Sequence, residues 1–188
     1  MRNIWFTSDT HFGHARIIEL CDRPFSSVDA MNEGIIQNWN ALVKPDDLVF
    51  HMGDVAMGKI ADSLPLVGRL NGRIALVPGN HDRIFSGNKQ KMIDRFTPEY
   101  LKVFETILPE WTGLDVLPVD FCHFPFEGDS HEDDRYTDLR PVDNGQWLIH
   151  GHVHDEWKVR GKQINVGVDV WDFRPVHLDQ IMEVIKNV

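Results

Sequence analysis

Five short apolar runs in this chain each lead into Asp, Asn or His. Ile4-Trp5-Phe6 leads into Ser8-Asp9-Thr10-His11, and Leu48-Val49-Phe50 into Gly53-Asp54. Ile74-Ala75-Leu76-Val77 leads into Pro78-Gly79-Asn80-His81-Asp82. Val116-Leu117 and Val119-Asp120-Phe121 lead to His123, and Trp147-Leu148-Ile149 into His150-Gly151-His152-Val153-His154. In open α/β sheets the carboxyl ends of strands form the crevice where ligands bind. One such ending means nothing, but five from one chain predict a single convergent cluster.

The rest of the chain fits that scheme. Apolar runs alternate with helical patterns, which favours an α/β layered fold. At 188 residues, with no linker or repeat, it reads as one domain spanning 1–188. The clearest helix lies between the Ser26-Ser27 pair and Pro45. Ser26 and Asp29 have capping-box spacing, and Val28, Met31, Ile35, Trp39 and Leu42 share one face. Lys44-Pro45 ends it, since the residue before proline disfavours the α region. A second helix is expected over Ile60 to Leu70, stopped by Asn71-Gly72. The acidic stretch from Glu127 to Asp134 reads as an exposed loop.

The local signals differ in weight. Asp9-x-His11 alone could be a capping Asp beside a solvated His, and Gly53-Asp54 a common turn pair. Gly79-Asn80-His81-Asp82 is more specific, although a tight turn also accounts for it. Three histidines at alternate positions, His150, His152 and His154, suit metal binding better than core packing, and Gly151 allows close approach.

Taken together these segments resemble the calcineurin-like metallophosphoesterase family, and its small bacterial and phage phosphodiesterases in particular. The family pattern runs Asp-x-His, Gly-Asp, Gly-Asn-His-Asp/Glu, an isolated His, then Gly-His-x-His. All five parts occur here in order: Asp9/His11, Gly53/Asp54, Gly79 to Asp82, His123, and Gly151 to His154. The resemblance implies a double-sheet α/β sandwich (four layers, α/β/β/α). It also implies two divalent transition-metal ions, Mn first, with Fe, Zn, Co or Ni as alternatives. One would be held by Asp9, His11, Asp54 and His154, the other by Asp54, Asn80, His123 and His152. Imidazole and oxygen donors without thiolate suit all of these metals and do not select among them. Asp54 is expected to give one oxygen to each metal. The implied reaction is attack on phosphorus by a metal-bridging hydroxide.

His81 follows a ligand and is not itself one in the family, so the resemblance makes it the general acid or a phosphate contact. Asp82 either orients His81 or caps the turn that follows. Asn80, His81, His14 and Arg135 are the candidate substrate contacts. For His14 the alternative is a plain surface loop. For Arg135, with Tyr136 and Arg140, it is a solvated loop paired to nearby acids. His51 and His150 read as packed or as supporting the cluster from outside; His131 and His177 read as exposed, and Cys122 as a buried strand thiol. Asn165 to Pro175 either closes a sheet or walls the site.

Composition narrows the function further. Two cysteines exclude a disulfide framework and a four-thiolate zinc site. A net charge of −10 argues against an extended nucleic-acid surface. Two divalent ions, two carboxylates and one hydroxide still leave the cluster at about +1, enough to draw a phosphate ester. With no apolar span and no signal-type cleavage site, no membrane association and a cytoplasmic location are expected. The leading expectation is a phosphodiesterase acting on nucleotide-type diesters, 2′,3′-cyclic phosphates included, with RNA ends as a candidate substrate and homo-oligomerisation left open. The rivals are a phosphomonoesterase or nuclease of the same family and, from another class, a non-catalytic metal-binding scaffold of the same fold.

Overall fold

The computed structural model describes residues 2–114, 117–131 and 133–187. Val116, in the fourth predicted run, and Glu132, in the acidic loop, lie outside them. The strands are β1 (Ile4–Thr7), β2 (Leu48–His51), β3 (Arg73–Leu76), β4 (Thr106–Ile107), β5 (Trp111–Leu114), β6 (Leu117–Cys122), β7 (Trp147–His150), β8 (Val159–Arg160), β9 (Gln163–Asn165) and β10 (Val176–His177). The α-helices are α1 (Ala15–Leu20), α2 (Val28–Asn40), α3 (Ile60–Ser63), α4 (Gln90–Tyr100) and α5 (Leu178–Asn187).

The strands form two five-stranded mixed sheets, ordered β10-β1-β2-β3-β4 and β5-β6-β7-β9-β8. The run β1-β2-β3-β4 is parallel, as is β6-β7-β9, and the remaining strands pair antiparallel at the edges. This is the expected double-sheet sandwich. Alternation along each strand builds it: Phe6, Phe50, Ala75 and Val77 from one sheet meet Val119, Phe121, Ile149 and Ile164 from the other in a shared core. The opposite faces of β1, β2 and β3 (Trp5, Val49, Ile74, Leu76) pack under Ile35 and Trp39 of α2 and Tyr100 of α4. Each such large apolar side chain is worth roughly 1.5–3 kcal/mol when buried.

Three local readings need revision. Ser27, not Ser26, caps α2, accepting the Ala30 N–H at 3.1 Å. The helix ends at Asn40, which leaves Leu42 beyond it and 39% exposed. The second predicted helix is one α-turn, α3, followed by a 3-10 segment, Leu64–Arg69. Pro65 has no N–H to continue the α ladder, so the chain tightens there.

Candidate metal centre

The predicted ligands sit where β1, β2, β3, β6 and β7 end, and the backbone there is unusual. Five of them occupy the left-handed region: Asp9 (φ 56°), His11 (49°), Asp54 (56°), His152 (71°) and His154 (46°). Non-glycine residues rarely adopt it, and each costs on the order of 1–3 kcal/mol unless the surroundings enforce it. Here the surroundings do. Asp9 N donates to Gly53 O (3.0 Å) and His11 N to Asp54 O (3.1 Å), lacing the first two ligand loops together. The motif glycines stand where these loops cross. A Cβ on Gly53 would collide with Gly79, one on Gly79 with Asp54, and one on Gly151 with Ser8 and Asp9. Gly53 and Gly79 are there because backbone crosses backbone, and Gly151 because the Ser8 and Asp9 side chains fill the space of a Cβ.

The side chains converge in two groups that share Asp54. In one, His11 Nε2 lies 3.1 Å from His154 Nε2, and both face Asp9 Oδ1, at 3.8 and 3.7 Å. Asp9 Oδ1 is buried with no hydrogen-bond partner, while Oδ2 accepts the His152 N–H at 3.0 Å. In the other, Asn80 Oδ1 lies 3.0 Å from His123 Nε2 and 3.1 Å from His152 Nδ1. His123 Nδ1 is 2.6 Å from Met52 O and donates its proton there, so Nε2 is the nitrogen that faces Asn80 and Asp54. Asp54 Oδ2 is 3.8 Å from His11 Nε2 and 3.4 Å from His123 Nε2. Oδ1 accepts the His81 N–H at 2.8 Å. The expected division of one Asp54 oxygen per metal is thereby corrected: a single oxygen faces both groups, because the other is taken by backbone.

A buried carboxylate oxygen without a partner, as Asp9 Oδ1 is, is unfavourable unless a cation stands beside it. Burial holds the imidazoles of His152 and His154 down, to about 3 and about 4, so both are neutral and able to bind a metal. Burial likewise lowers His11. Burial also opposes charge on His123, but the Asp54 carboxylate lifts it to about 9. Asp54 itself stays well below the usual carboxylate range, since His123 outweighs its burial. Burial pushes the Asp9 carboxyl up to about 7. Apart from His123, whose extra proton a metal would displace, the imidazoles carry no charge, and oxygen and imidazole donors around a shared carboxylate fit a pair of divalent transition metals.

The other predicted residues fall around this cluster. His81 is on the rim, its side chain 43% exposed and its Nε2 4.0 Å from Asp54 Oδ2. The His14 and His81 rings lie against His11, at 5.5 and 5.7 Å between centroids. Asp82 neither orients His81 nor merely caps a turn. Its fully buried carboxylate accepts from Asp54 N (2.9 Å), Val55 N (3.2 Å), Gly79 N (2.8 Å) and Tyr100 OH (3.1 Å). It clamps two ligand loops from behind. Arg135 is tied to Asp129 at 2.7 Å and half-exposed. His51 is buried against Thr10 Oγ1 (3.1 Å), and His150 against Trp157. His131 is exposed as expected; His177 instead packs edge-on against Trp5. Cys122 is buried, its thiol pushed up to about 12.

Two supporting residues escaped sequence reading. Arg23 is buried and forks onto Asp169 (2.7 and 2.8 Å) while donating to the carbonyls of Asp9 (2.9 Å) and Thr10 (3.3 Å). Asp169 belongs to the segment Asn165 to Pro175, which joins β1 through the Ser8–Gly167 bridge. That segment thus backs the Asp9 loop.

A double-sheet sandwich whose strand ends gather this donor set is the architecture of a metal-dependent phosphoesterase. The chain belongs to the calcineurin-like phosphoesterase family, whose model matches residues 2–156. It is 35% identical to the uncharacterized protein MJ1445 of Methanocaldococcus jannaschii, over all of this chain and 93% of that one. It is 32% identical to the Gene 66 protein of Mycobacterium phage L5, over all of this chain and 96% of that one. Among solved structures, the protein of unknown function AQ665 from Aquifex aeolicus superposes with a TM-score of 0.73 at 26% identity, covering 98% of this chain and all of that one. No helix among the described residues is long and apolar enough to cross a membrane.

Proposed function

We propose that this protein is a binuclear-metal phosphodiesterase acting on nucleotide-type diesters, 2′,3′-cyclic phosphates included, with manganese as the first candidate metal. One observation carries the reading: two groups of inward-facing donors share Asp54 Oδ2, with a half-exposed imidazole, His81, at the rim. Asp9, His11, Asp54 and His154 would hold one metal, and Asp54, Asn80, His123 and His152 the other. When bound, such a pair lowers the pKa of water and neutralises charge on the phosphoryl oxygens.

The chain's own residues supply the remaining parts. The His81 backbone is pinned by its N–H bond to Asp54 Oδ1, which fixes where its imidazole stands. From there it can give a proton to a departing oxygen. His14, half-buried beside His11, offers a second polar ring to the phosphate or its ester group. Support for a nucleotide-type substrate comes from the chain's acidity, which disfavours long polyanions but not a small nucleotide or an RNA end.

The test is chelation, reconstitution with each candidate metal, and rates on bis(p-nitrophenyl) phosphate, p-nitrophenyl phosphate and 2′,3′-cyclic nucleotides. Faster diester hydrolysis that requires metal is expected. A monoester preference would overturn the diesterase reading, and activity that survives complete chelation would overturn the metal mechanism.

A further inference from the structure

The segment between β6 and β7 reads as an exposed acidic loop, yet one of its acids turns inward. The Asp129 side chain is fully buried, and its Oδ2 lies 3.1 Å from His152 Nε2. The opposite ring nitrogen, Nδ1, is the one that faces Asn80 Oδ1 in the second ligand group. We propose that Asp129 is a positioning residue for the second metal: it accepts the Nε2–H of His152, fixes the tautomer that leaves the Nδ1 lone pair inward, and locks the ring's orientation. The proposal rests on the metal-centre reading above and assigns a role in it to a loop outside the family motifs.

Three features argue that this contact is built rather than incidental. First, Asp129 is itself held. Arg135 donates to it from its backbone N (3.1 Å), Nε (3.3 Å) and Nη2 (2.7 Å), and Arg140, 4% exposed, stands 3.7 Å away. The Arg135 guanidinium forks onto both carboxylate oxygens, Nε toward Oδ2 and Nη2 toward Oδ1, an ion pair that presents the side chain as a carboxylate. An ionised carboxylate only accepts hydrogen bonds, so the imidazole must be the donor. Second, a neutral imidazole has one N–H; spending it on Asp129 leaves Nδ1 as a donor of electrons. Third, the ring is boxed by aromatic neighbours, Phe124 at 4.9 Å, His123 at 5.2 Å and Tyr136 at 5.7 Å between centroids. Rotation of His152 is blocked on those sides, and Asp129 settles which nitrogen carries the proton. Carboxylate partners of this kind raise the basicity of a metal-binding imidazole, and losing one lowers metal affinity about 10–100-fold.

The consequence is a division of labour. Backbone bonds and the Asp82 clamp support loops of both groups, whereas one ligand of the second, His152, depends in addition on a surface loop through one carboxylate. The test uses the full chain and the variants Asp129→Ala and Asp129→Asn. Long-range proton–nitrogen spectra of labelled histidine in the metal-free protein report the tautomer directly and do not depend on catalysis. His152 is expected as the Nε2–H form in the natural protein, mixed in Asp129→Ala, and largely restored in Asp129→Asn, which keeps an acceptor oxygen. Titration of Mn²⁺ into the chelated proteins is expected to show two sites, with one weakened about 10–100-fold in Asp129→Ala and the other unchanged. An unchanged tautomer, or equal weakening of both sites together with a lower denaturation midpoint, would overturn the proposal. If the tautomer responds but no phosphoester is hydrolysed, the function reading fails and the positioning role stands.

Discussion

Asp82 and Asp129 both lie just behind the candidate metal ligands, and they act on opposite kinds of group. Asp82 holds backbone: its oxygens take the N–H groups of Gly79, Asp54 and Val55 and the hydroxyl of Tyr100. Asp129 holds a side chain, the imidazole of His152, and is itself held by Arg135. Their electrostatics differ accordingly. Asp82 makes no salt bridge among the described residues and faces Asp54, so burial first and that neighbour second push its carboxyl up to about 6. Asp129 is kept ionised by its arginine. One carboxylate builds the floor of the site at a cost in charge; the other tunes a single ligand from a loop.

The largest expected effect tests whether the floor does chemistry as well as positioning. His81 hangs from the Asp82-clamped turn, with its ring exposed beside Asp54. If it protonates the leaving oxygen, His81→Ala should slow hydrolysis of a diester with a poor leaving group by about 10²–10⁴-fold. The same variant should lose far less with p-nitrophenolate, which departs without a proton. Steady-state rates on the two esters check this; equal losses on both would make His81 a phosphate contact rather than an acid.

Next comes stability. Asp82→Ala strands three backbone N–H groups and one hydroxyl in a fully buried place, and each such group costs about 1–3 kcal/mol. Allowing for local relaxation, a loss of about 3–5 kcal/mol is expected, together with loss of both metals. Asp129→Ala, in a half-exposed loop, should cost less than about half of that. Denaturant midpoints at constant slope measure both. Similar losses from the two would erase the distinction between floor and loop.

That distinction also marks what the chain's linear order reveals. The strand-end ligands were legible because each closes an apolar run and sits in a short motif, and Gly151 marked a close approach, whereas Gly53 and Gly79 read only as turn residues. Arg23 and Asp169 were not, since they meet across 146 positions and no local period records such a pair. Asp129 was hidden differently: among Glu127, Asp133 and Asp134 it looks like one more solvated acid, and only the fold turns it inward. Helix α4 was masked by its charges and by Pro98 inside it. In α5 the signal was present, since Leu178, Ile181 and Ile185 recur on one face.

The smallest effect is also the sharpest contrast, because the two carboxylates should bend the pH dependence of stability in opposite directions. An unfolded Asp titrates near about 3.9. Asp82, raised to about 6 in the metal-free fold, binds its proton more tightly folded than unfolded, so its contribution falls as pH rises from about 4 through 6. Asp129 is depressed, so its contribution is fully present above the unfolded value and is lost as pH falls below it toward the folded one. Unfolding free energies of the chelated protein against Asp82→Asn should therefore converge toward acid, with the natural chain relatively weaker at pH 7 than at pH 4. Against Asp129→Asn the natural chain should be relatively stronger at pH 7 than at pH 3. Adding metal should reduce the first difference, since cations beside Asp54 relieve the repulsion that adds to burial in raising Asp82, and leave the sign of the second unchanged. Parallel curves for the two variants would mean that Asp82 and Asp129 share one electrostatic environment, and that the floor and the loop are not separate supports.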